Sequence, residues 1–205
     1  MLVNLKEILD IAMKKGFAVP AFNVYNMETV MGVIEAAEES KAPVIIQSYS
    51  RLFTNEEGYF VSPIVLAAAK KASVPICFHL DHGAGIPEVT KALRYGASGI
   101  MIDKSALELS ENIKETKEVV DMCAAVDVPV EGELGHVGSV NDSSMSDYTN
   151  VDEAKEFVEK TGVSALAILV GTAHGRYKKA PVLDIKRIED IAAATGIPLV
   201  LHGGS

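Results

Sequence analysis

The chain alternates short apolar runs with longer segments of helical periodicity. Seven runs rich in Val, Ile and Leu are predicted to be strands. They cover residues 17–24, 44–49, 76–82, 99–103, 130–134, 165–171 and 199–202. Because these runs are apolar on both faces, they fit parallel strands that are buried on both sides.

The segments between these runs carry helix start and stop signals. Asn4 is followed three residues later by Glu7, which is the pattern of a capping box, and Gly16 is placed as a helix stop. Ser62 and Pro63 are predicted to be the N-cap and first residue of a helix before the third strand. Repeated strand–helix units predict an open doubly wound sheet or a closed (β/α)₈ barrel. No Gly-x-Gly-x-x-Gly follows the first strand, which disfavours the dinucleotide-binding version of the open sheet.

Length, charge and cysteine content narrow the class of protein. A chain of 205 residues predicts a single domain over residues 1–205. Its 19 basic and 28 acidic residues give a formal net charge of −9, which disfavours a nucleic-acid binder with a broad basic surface. No apolar run is long enough to span a bilayer, and the start does not resemble a secretory signal. Cys77 and Cys123 are interpreted as reduced core thiols of a cytoplasmic protein.

Polar side chains interrupt the apolar pattern at the carboxyl ends of five predicted strands. They are Asp81 and His82 after the third strand, Asp103 after the fourth, Glu131 and Glu133 in the fifth, His174 after the sixth and His202 after the seventh. In a barrel these positions meet at the face where barrel active sites are found.

Three of the five histidines, His82, His174 and His202, each end a different strand beside a glycine. Any one histidine is more often a surface residue or a hydrogen-bonded core residue. Three imidazoles that leave one position open, however, form the usual catalytic zinc site. The trio therefore predicts metal binding.

The acidic residues admit more than one role. Asp81, beside a divalent ion, can exchange a proton with a bound hydroxyl group, or it can cap the next turn. Glu131 and Glu133 share one face of a strand, so they serve a second metal position or form an ion pair, and Asp103 has the same two alternatives. No predicted strand carries a lysine in its apolar interior, which disfavours Schiff-base chemistry and favours metal chemistry.

Six motifs together resemble one enzyme family. They are residues 20–27 (PAFNVYNM), 79–83 (HLDHG), 101–103 (MID), 132–135 (GELG), 171–175 (GTAHG) and 201–205 (LHGGS). In this order and spacing the chain resembles the class II, zinc-dependent ketose-bisphosphate aldolases, which act on fructose-1,6-bisphosphate or tagatose-1,6-bisphosphate. The resemblance implies an α/β (β/α)₈ TIM barrel that cleaves a ketose bisphosphate to glycerone phosphate and glyceraldehyde 3-phosphate.

The resemblance also assigns roles to residues of this chain. His82, His174 and His202 would hold Zn²⁺ or another divalent ion, and Asp81 would be the acid/base at the C4 hydroxyl. A monovalent cation would lie beside the phosphate. Asp103 and Glu133 would match an alternative metal position. The implied substrate contacts are Asn23, Ser48 or Ser50, Gly175, Gly203, Gly204 and Ser205.

The sequence departs from the family pattern in three places. The sequence given stops before the eighth strand of the family pattern, so it is expected to be either a fragment or a chain whose barrel closes differently, for example with a partner. Tyr49 stands where the family usually has a serine, and Asn141 stands where a glutamate often assists proton transfer, with Asp142 beside it. These departures slightly favour an alternative, a non-catalytic zinc-binding barrel that binds a sugar phosphate or a protein partner, whereas the intact Asp81 and the three histidines favour the enzyme. A metal hydrolase on the same barrel is a third hypothesis. The family resemblance further implies a sugar-phosphate substrate, no nucleic-acid or membrane partner, and a homodimer or homotetramer.

Overall fold

The computed structural model describes residues 1–140 and 148–203. Helices and strands alternate along these residues, as the apolar pattern predicts. The helices are α1 (Leu5–Lys15), α2 (Met27–Ser40), α3 (Ser50–Thr54), α4 (Glu57–Lys71), α5 (Ile86–Arg94), α6 (Leu109–Ala124), α7 (Val151–Thr161) and α8 (Ile185–Thr195). The strands are β1 (Ala21–Asn23), β2 (Val44–Tyr49), β3 (Ile76–Gly83), β4 (Gly99–Ile102), β5 (Val130–Leu134), β6 (Ala165–Ile168) and β7 (Leu199–Val200).

The chain forms two compact units that interleave along the sequence. The first contains Met1–Ile102 and Asp121–Val130, and the second contains Asp103–Val120 and Glu131–Ser205. The end of α6 therefore belongs to the first unit, although the start of that helix belongs to the second.

In the first unit, the strands pair in chain order, β1-β2-β3-β4, and every pair is parallel. Asn23 is opposite Gln47, which is opposite His79 in β3. The side chains of Ile46 and Phe78 are fully buried. The apolar runs predict parallel strands that are buried, and the burial of these side chains agrees with that prediction.

In the second unit, β5, β6 and β7 are also parallel and in chain order. Helix α7 packs closely on β5 through Phe157, because a Cβ at Gly132 would lie 2.8 Å from Phe157 Cε1. Because of this close approach, a side chain larger than hydrogen at Gly132 would push the helix away from the strand. Leu166 in β6 is also fully buried.

Two predicted helix signals are confirmed and one is wrong. The Glu7 amide donates to Asn4 Oδ1 at 2.8 Å, the Asn4 amide donates to Glu7 Oε2 at 2.8 Å, and Gly16 is left-handed at φ 70°. Ser62 and Pro63, in contrast, lie inside α4, which begins at Glu57. Ser62 is only 1% exposed, so burial of the helix face overrides the local capping signal.

Four strands end earlier than their predicted apolar runs. The first covers only Ala21–Asn23, the fourth ends at Ile102, the sixth at Ile168 and the seventh at Val200. After Ile168 the backbone bonds to a loop instead of a strand: Leu169 N–H donates to Thr149 Oγ1 at 2.8 Å, and Thr149 N–H donates to Leu169 O at 3.0 Å. The residues after the strand remain buried, which explains why the apolar run is longer than the strand.

Both cysteines are buried and neither forms a disulfide within the described residues, in agreement with the reduced core thiols that the sequence predicts. Burial raises the pKa of the Cys123 thiol to about 11, which keeps it protonated near neutral pH. Among the helices of the described ranges, none combines the length and apolar content needed to cross a bilayer.

The capping box of α1 generates a stability prediction. We expect Asn4→Ala to lower the free energy of unfolding by about 1 kcal/mol, because it removes the acceptor for the Glu7 amide. Urea unfolding measures this difference. Asp10→Ala is the control, since the exposed Lys6–Asp10 pair contributes about 0.5 kcal/mol or less. Equal losses in the two variants would contradict the capping role.

Candidate active site

The carboxyl end of β3 contains a β-bulge. Leu80 pairs with Ile100 of β4, and Gly83 pairs with Ile102. Three steps along β3 therefore match two steps along β4, so β3 has one extra residue. His82 lies within this interval in the left-handed region, at φ 49°. In a regular strand, successive side chains point to opposite faces. The bulge breaks that alternation at Asp81 and His82, the two residues of β3 for which the sequence predicts a chemical role.

Asp81 is buried, 4% exposed, and held by two amide side chains of the first unit. Asn23 Nδ2 donates to Asp81 Oδ2 at 3.0 Å, and Gln47 Nε2 donates to Asp81 Oδ1 at 3.4 Å. The same Oδ1 lies 3.9 Å from His82 Nε2. Asn23 stays a prediction as a substrate contact, and Gln47 is a site residue that the sequence analysis did not single out. The available signal was a lone amide in an otherwise apolar run.

The backbone at Gly83 is in close contact with β4. A Cβ there would lie 2.6 Å from Met101 O and 2.9 Å from Leu80 Cδ2. The His82 amide donates to Met101 Sδ at 3.4 Å. Glycine after His82 is therefore required for the strand to pass this point in its observed position.

Ser48 and Ser50 are the predicted substrate contacts near the end of β2, and the alternation of side chains along the strand determines where Ser48 points. Gln47 contacts Asp81, so Ser48 points to the opposite face, where it is 1% exposed. Within the described ranges its Oγ has no hydrogen-bond partner. Ser50 begins α3. Ser48 and Ser50 stay predictions as substrate contacts. Tyr49 places its ring against His82, with centroids 6.1 Å apart at 65°.

In the second unit, two predicted metal ligands lie side by side. The ring centroids of His174 and His202 are 5.9 Å apart at 73°. His202 Nε2 lies 3.0 Å from Glu131 Oε1, and both side chains are buried. Of the two alternatives for Glu131, pairing within the protein is the one observed. A carboxylate on one ring nitrogen fixes the orientation of the imidazole and leaves Nδ1 to serve as a ligand atom.

Asp103 and Glu133 meet at a residue that the sequence analysis did not single out. Ser105 Oγ lies 2.7 Å from Asp103 Oδ1, 3.0 Å from Glu133 Oε1 and 3.0 Å from His136 Nδ1. The Val137 amide also donates to Glu133 Oε1 at 3.0 Å. A serine two residues after an aspartate is the local signal for this turn, because the Ser105 amide also donates to Asp103 Oδ1 at 3.1 Å.

The predicted phosphate contacts lie in turns of left-handed backbone. Gly175 has φ 111° and Gly203 has φ 72°. A Cβ at Gly203 would lie 2.4 Å from Ala173 O, so this position requires glycine on both counts. Gly204 and Ser205, and also the departures at Asn141 and Asp142, lie outside the described residues.

The model of one protein family, class II fructose-bisphosphate aldolase, matches residues 3–205. The chain belongs to this family. It is therefore an aldolase, a lyase that breaks and forms carbon–carbon bonds, which confirms the predicted class of enzyme.

Solved aldolase structures share the fold. The YdjI aldolase from Escherichia coli K12 is 39% identical, with a TM-score of 0.90 over 100% of this chain and 74% of that chain. Fructose-bisphosphate aldolase (Fba) from Campylobacter jejuni is 24% identical, with a TM-score of 0.81 over 99% of this chain and 71% of that chain. The aldolase described here thus has an incomplete (β/α)₈ barrel fold with seven parallel strands in its described residues, and the open doubly wound alternative is excluded.

Class II aldolases are typically metal-dependent, and this aldolase has side chains with suitable donors. His82 belongs to the first unit, whereas His174, His202, Asp103 and Glu133 belong to the second. Each of these five described residues offers a donor atom of a type that binds metal ions.

The close approach at Gly83 generates a prediction. We expect Gly83→Ala to lower the free energy of unfolding by about 2 kcal/mol, because the added Cβ overlaps Met101 O, a backbone atom that cannot rotate away. The matched control is Gly85→Ala, since the nearest atom to its Cβ would be Pro87 Cδ at 3.7 Å, an ordinary contact. Urea unfolding of both variants tests the prediction, and a Gly83 variant as stable as the control would contradict it.

Proposed function

We propose that this aldolase cleaves a ketose 1,6-bisphosphate, of the fructose or tagatose type, to glycerone phosphate and glyceraldehyde 3-phosphate. The observation that carries the proposal is the buried carboxylate of Asp81, held by Asn23 and Gln47 beside His82. A carboxylate fixed by donors and removed from bulk water is suited to exchange a proton with a substrate hydroxyl group.

We further propose that His82, His174 and His202 hold a divalent ion, with Zn²⁺ as the metal. Three imidazoles are the donor set of a catalytic zinc site. The contact of the His174 and His202 rings supports this assignment, and so does the Glu131 bond that orients His202. When bound, the ion supplies a Lewis acid for the ketone oxygen of the substrate.

Asp103 and Glu133 are proposed as ligands of an alternative metal position. Their carboxylates share the Ser105 hydroxyl, which can donate its single proton to one of them at a time. Glu133 is fully buried, and the Val137 amide supplies it with a second donor. The cluster thus holds negative charge in a small volume, which favours a cation.

In the proposed cleavage, Asp81 removes the proton from the C4 hydroxyl group. The C4 oxygen then forms a carbonyl as the C3–C4 bond breaks, and the electron pair of that bond goes to the glycerone half. The Asn23 and Gln47 amides keep the carboxylate oriented during this transfer. In condensation the same residue returns the proton.

The phosphate of the glycerone half is proposed to bind at the glycine turns. Gly175, Gly203, Gly204 and Ser205 would present backbone N–H groups to it, with a monovalent cation beside it. The left-handed backbone of Gly175 and Gly203 supports this role, since such turns can aim successive N–H groups at an anion. A cytoplasmic location and a homodimer or homotetramer remain predictions from the sequence.

Removal of the metal tests the proposed reaction. We expect coupled assays to show cleavage of fructose-1,6- or tagatose-1,6-bisphosphate that falls at least about 100-fold after EDTA treatment and returns with zinc. The better substrate identifies the sugar. Activity that survives complete metal removal would contradict the metal assignment. Stoichiometric zinc binding with neither sugar cleaved would favour the sugar-phosphate-binding alternative.

Substitution of the proposed acid/base tests the role of Asp81. We expect Asp81→Ala to lower kcat by about 10²- to 10⁴-fold, because the C4 hydroxyl loses its proton acceptor. Zinc stoichiometry, measured by elemental analysis, should not change. Asp10→Ala serves as the control, since Asp10 is an exposed residue of α1. Unchanged cleavage by the Asp81 variant would show that the proton is removed by another group.

A further inference from the structure

The hydroxyl group of Tyr177 joins two loops of the second unit. The Ala173 amide donates to Tyr177 Oη at 2.6 Å, and Tyr177 Oη donates to Gly203 O at 2.8 Å. Ala173 directly precedes His174, and Gly203 directly follows His202. One hydroxyl group therefore bonds to the neighbours of two proposed metal ligands.

A separate observation shows that these two loops are in direct contact. A Cβ at Gly203 would lie 2.4 Å from Ala173 O, 2.6 Å from its carbonyl carbon and 3.0 Å from its nitrogen. The two backbones therefore lie against each other at the place where the Tyr177 hydroxyl binds both. Their separation is set by this contact together with the two hydrogen bonds.

The loop that carries His174 is flanked by glycines in unusual conformations. Gly171 has φ 115° and Gly175 has φ 111°. Glycine loses more conformational freedom on folding than other residues, so a segment between two such glycines needs fixed contacts to hold one geometry. On one side His174 exchanges backbone hydrogen bonds with Gly138 and Val140. On the other side the Tyr177 hydroxyl holds Ala173.

We propose that Tyr177 is a positioning residue, which fixes the placement of His174 relative to His202 for metal binding. This inference rests on the proposed metal site. Glu131 then orients the ring of His202, and Tyr177 holds the carbonyl of Gly203, the residue that follows it. Tyr177 also holds the amide of Ala173, the residue that precedes His174. Groups that orient ligands from outside the coordination shell tune metal affinity in many metal sites.

The test replaces one hydroxyl group and measures the metal. We expect Tyr177→Phe to bind Co²⁺ at least about tenfold more weakly than the unsubstituted protein, because loss of an outer contact of this kind typically costs 10- to 100-fold. Visible absorption of bound Co²⁺ gives both the affinity and the ligand geometry, and the rate of release to a chelator gives an independent second measurement. The absorption bands of the variant should also change in shape or position.

Tyr148→Phe is the matched control. Tyr148 lies in the same unit, and its ring faces the Arg187 guanidinium carbon at 5.8 Å, a contact that phenylalanine preserves. We expect this variant to keep the Co²⁺ affinity and spectrum of the unsubstituted protein. Thermal unfolding of the metal-free proteins separates a general loss of stability from a specific loss of metal affinity.

The outcomes distinguish failure of this inference from failure of the metal site. If the unsubstituted protein binds no Co²⁺, the proposed function is overturned together with the inference. If it binds Co²⁺ and Tyr177→Phe binds with the same affinity, spectrum and release rate, the positioning role is overturned, even where the variant unfolds at a lower temperature. Equal weakening in the Tyr148 control would also overturn it.

Discussion

Burial of carboxylates among apolar strands is the constraint on which the site depends. Asp81, Glu131 and Glu133 are each 4% exposed or less, and a buried carboxylate without donors costs on the order of several kcal/mol. Each one is therefore surrounded by specific partners. Asp81 accepts from two amides, Glu131 contacts an imidazole, and Glu133 accepts from a backbone amide and a hydroxyl group. These partners determine what each carboxylate can do chemically.

The partners divide the carboxylates by role. Amide side chains orient Asp81 for its proposed role as proton acceptor, whereas Glu131 contacts the imidazole of His202 and would orient it as a proposed metal ligand. The shared hydroxyl of Ser105 joins Asp103 to Glu133 in one cluster. Residue types alone would not distinguish three such carboxylates. The three proposed roles, a proton carrier, an orienting group and a cation site, differ because the fold gives each carboxylate different neighbours.

Much of the fold follows from local pattern. Val44–Tyr49 and Val130–Leu134 match their predicted strands at both ends, because apolar runs bounded by turns leave little choice of register. The bulge in β3 has no comparable signal, since it depends on how the strand meets β4. The contact between Gln47 and Asp81 is likewise not predicted from the sequence, because the face of a strand changes at every residue and the apolar run does not show which face of β2 lies beside Asp81. The Glu131–His202 bond joins positions 71 residues apart, which no local pattern encodes.

X-ray absorption at the zinc edge of the zinc-loaded protein tests the proposed metal site most directly. Three histidine ligands predict a shell of three imidazole nitrogens at about 2.0–2.1 Å with one further light atom, and no sulfur. The same spectrum of His82→Ala should contain two imidazoles. A sulfur shell at about 2.3 Å, which would implicate Cys77 or Cys123, or a His82 variant with an unchanged shell, would contradict the proposed site.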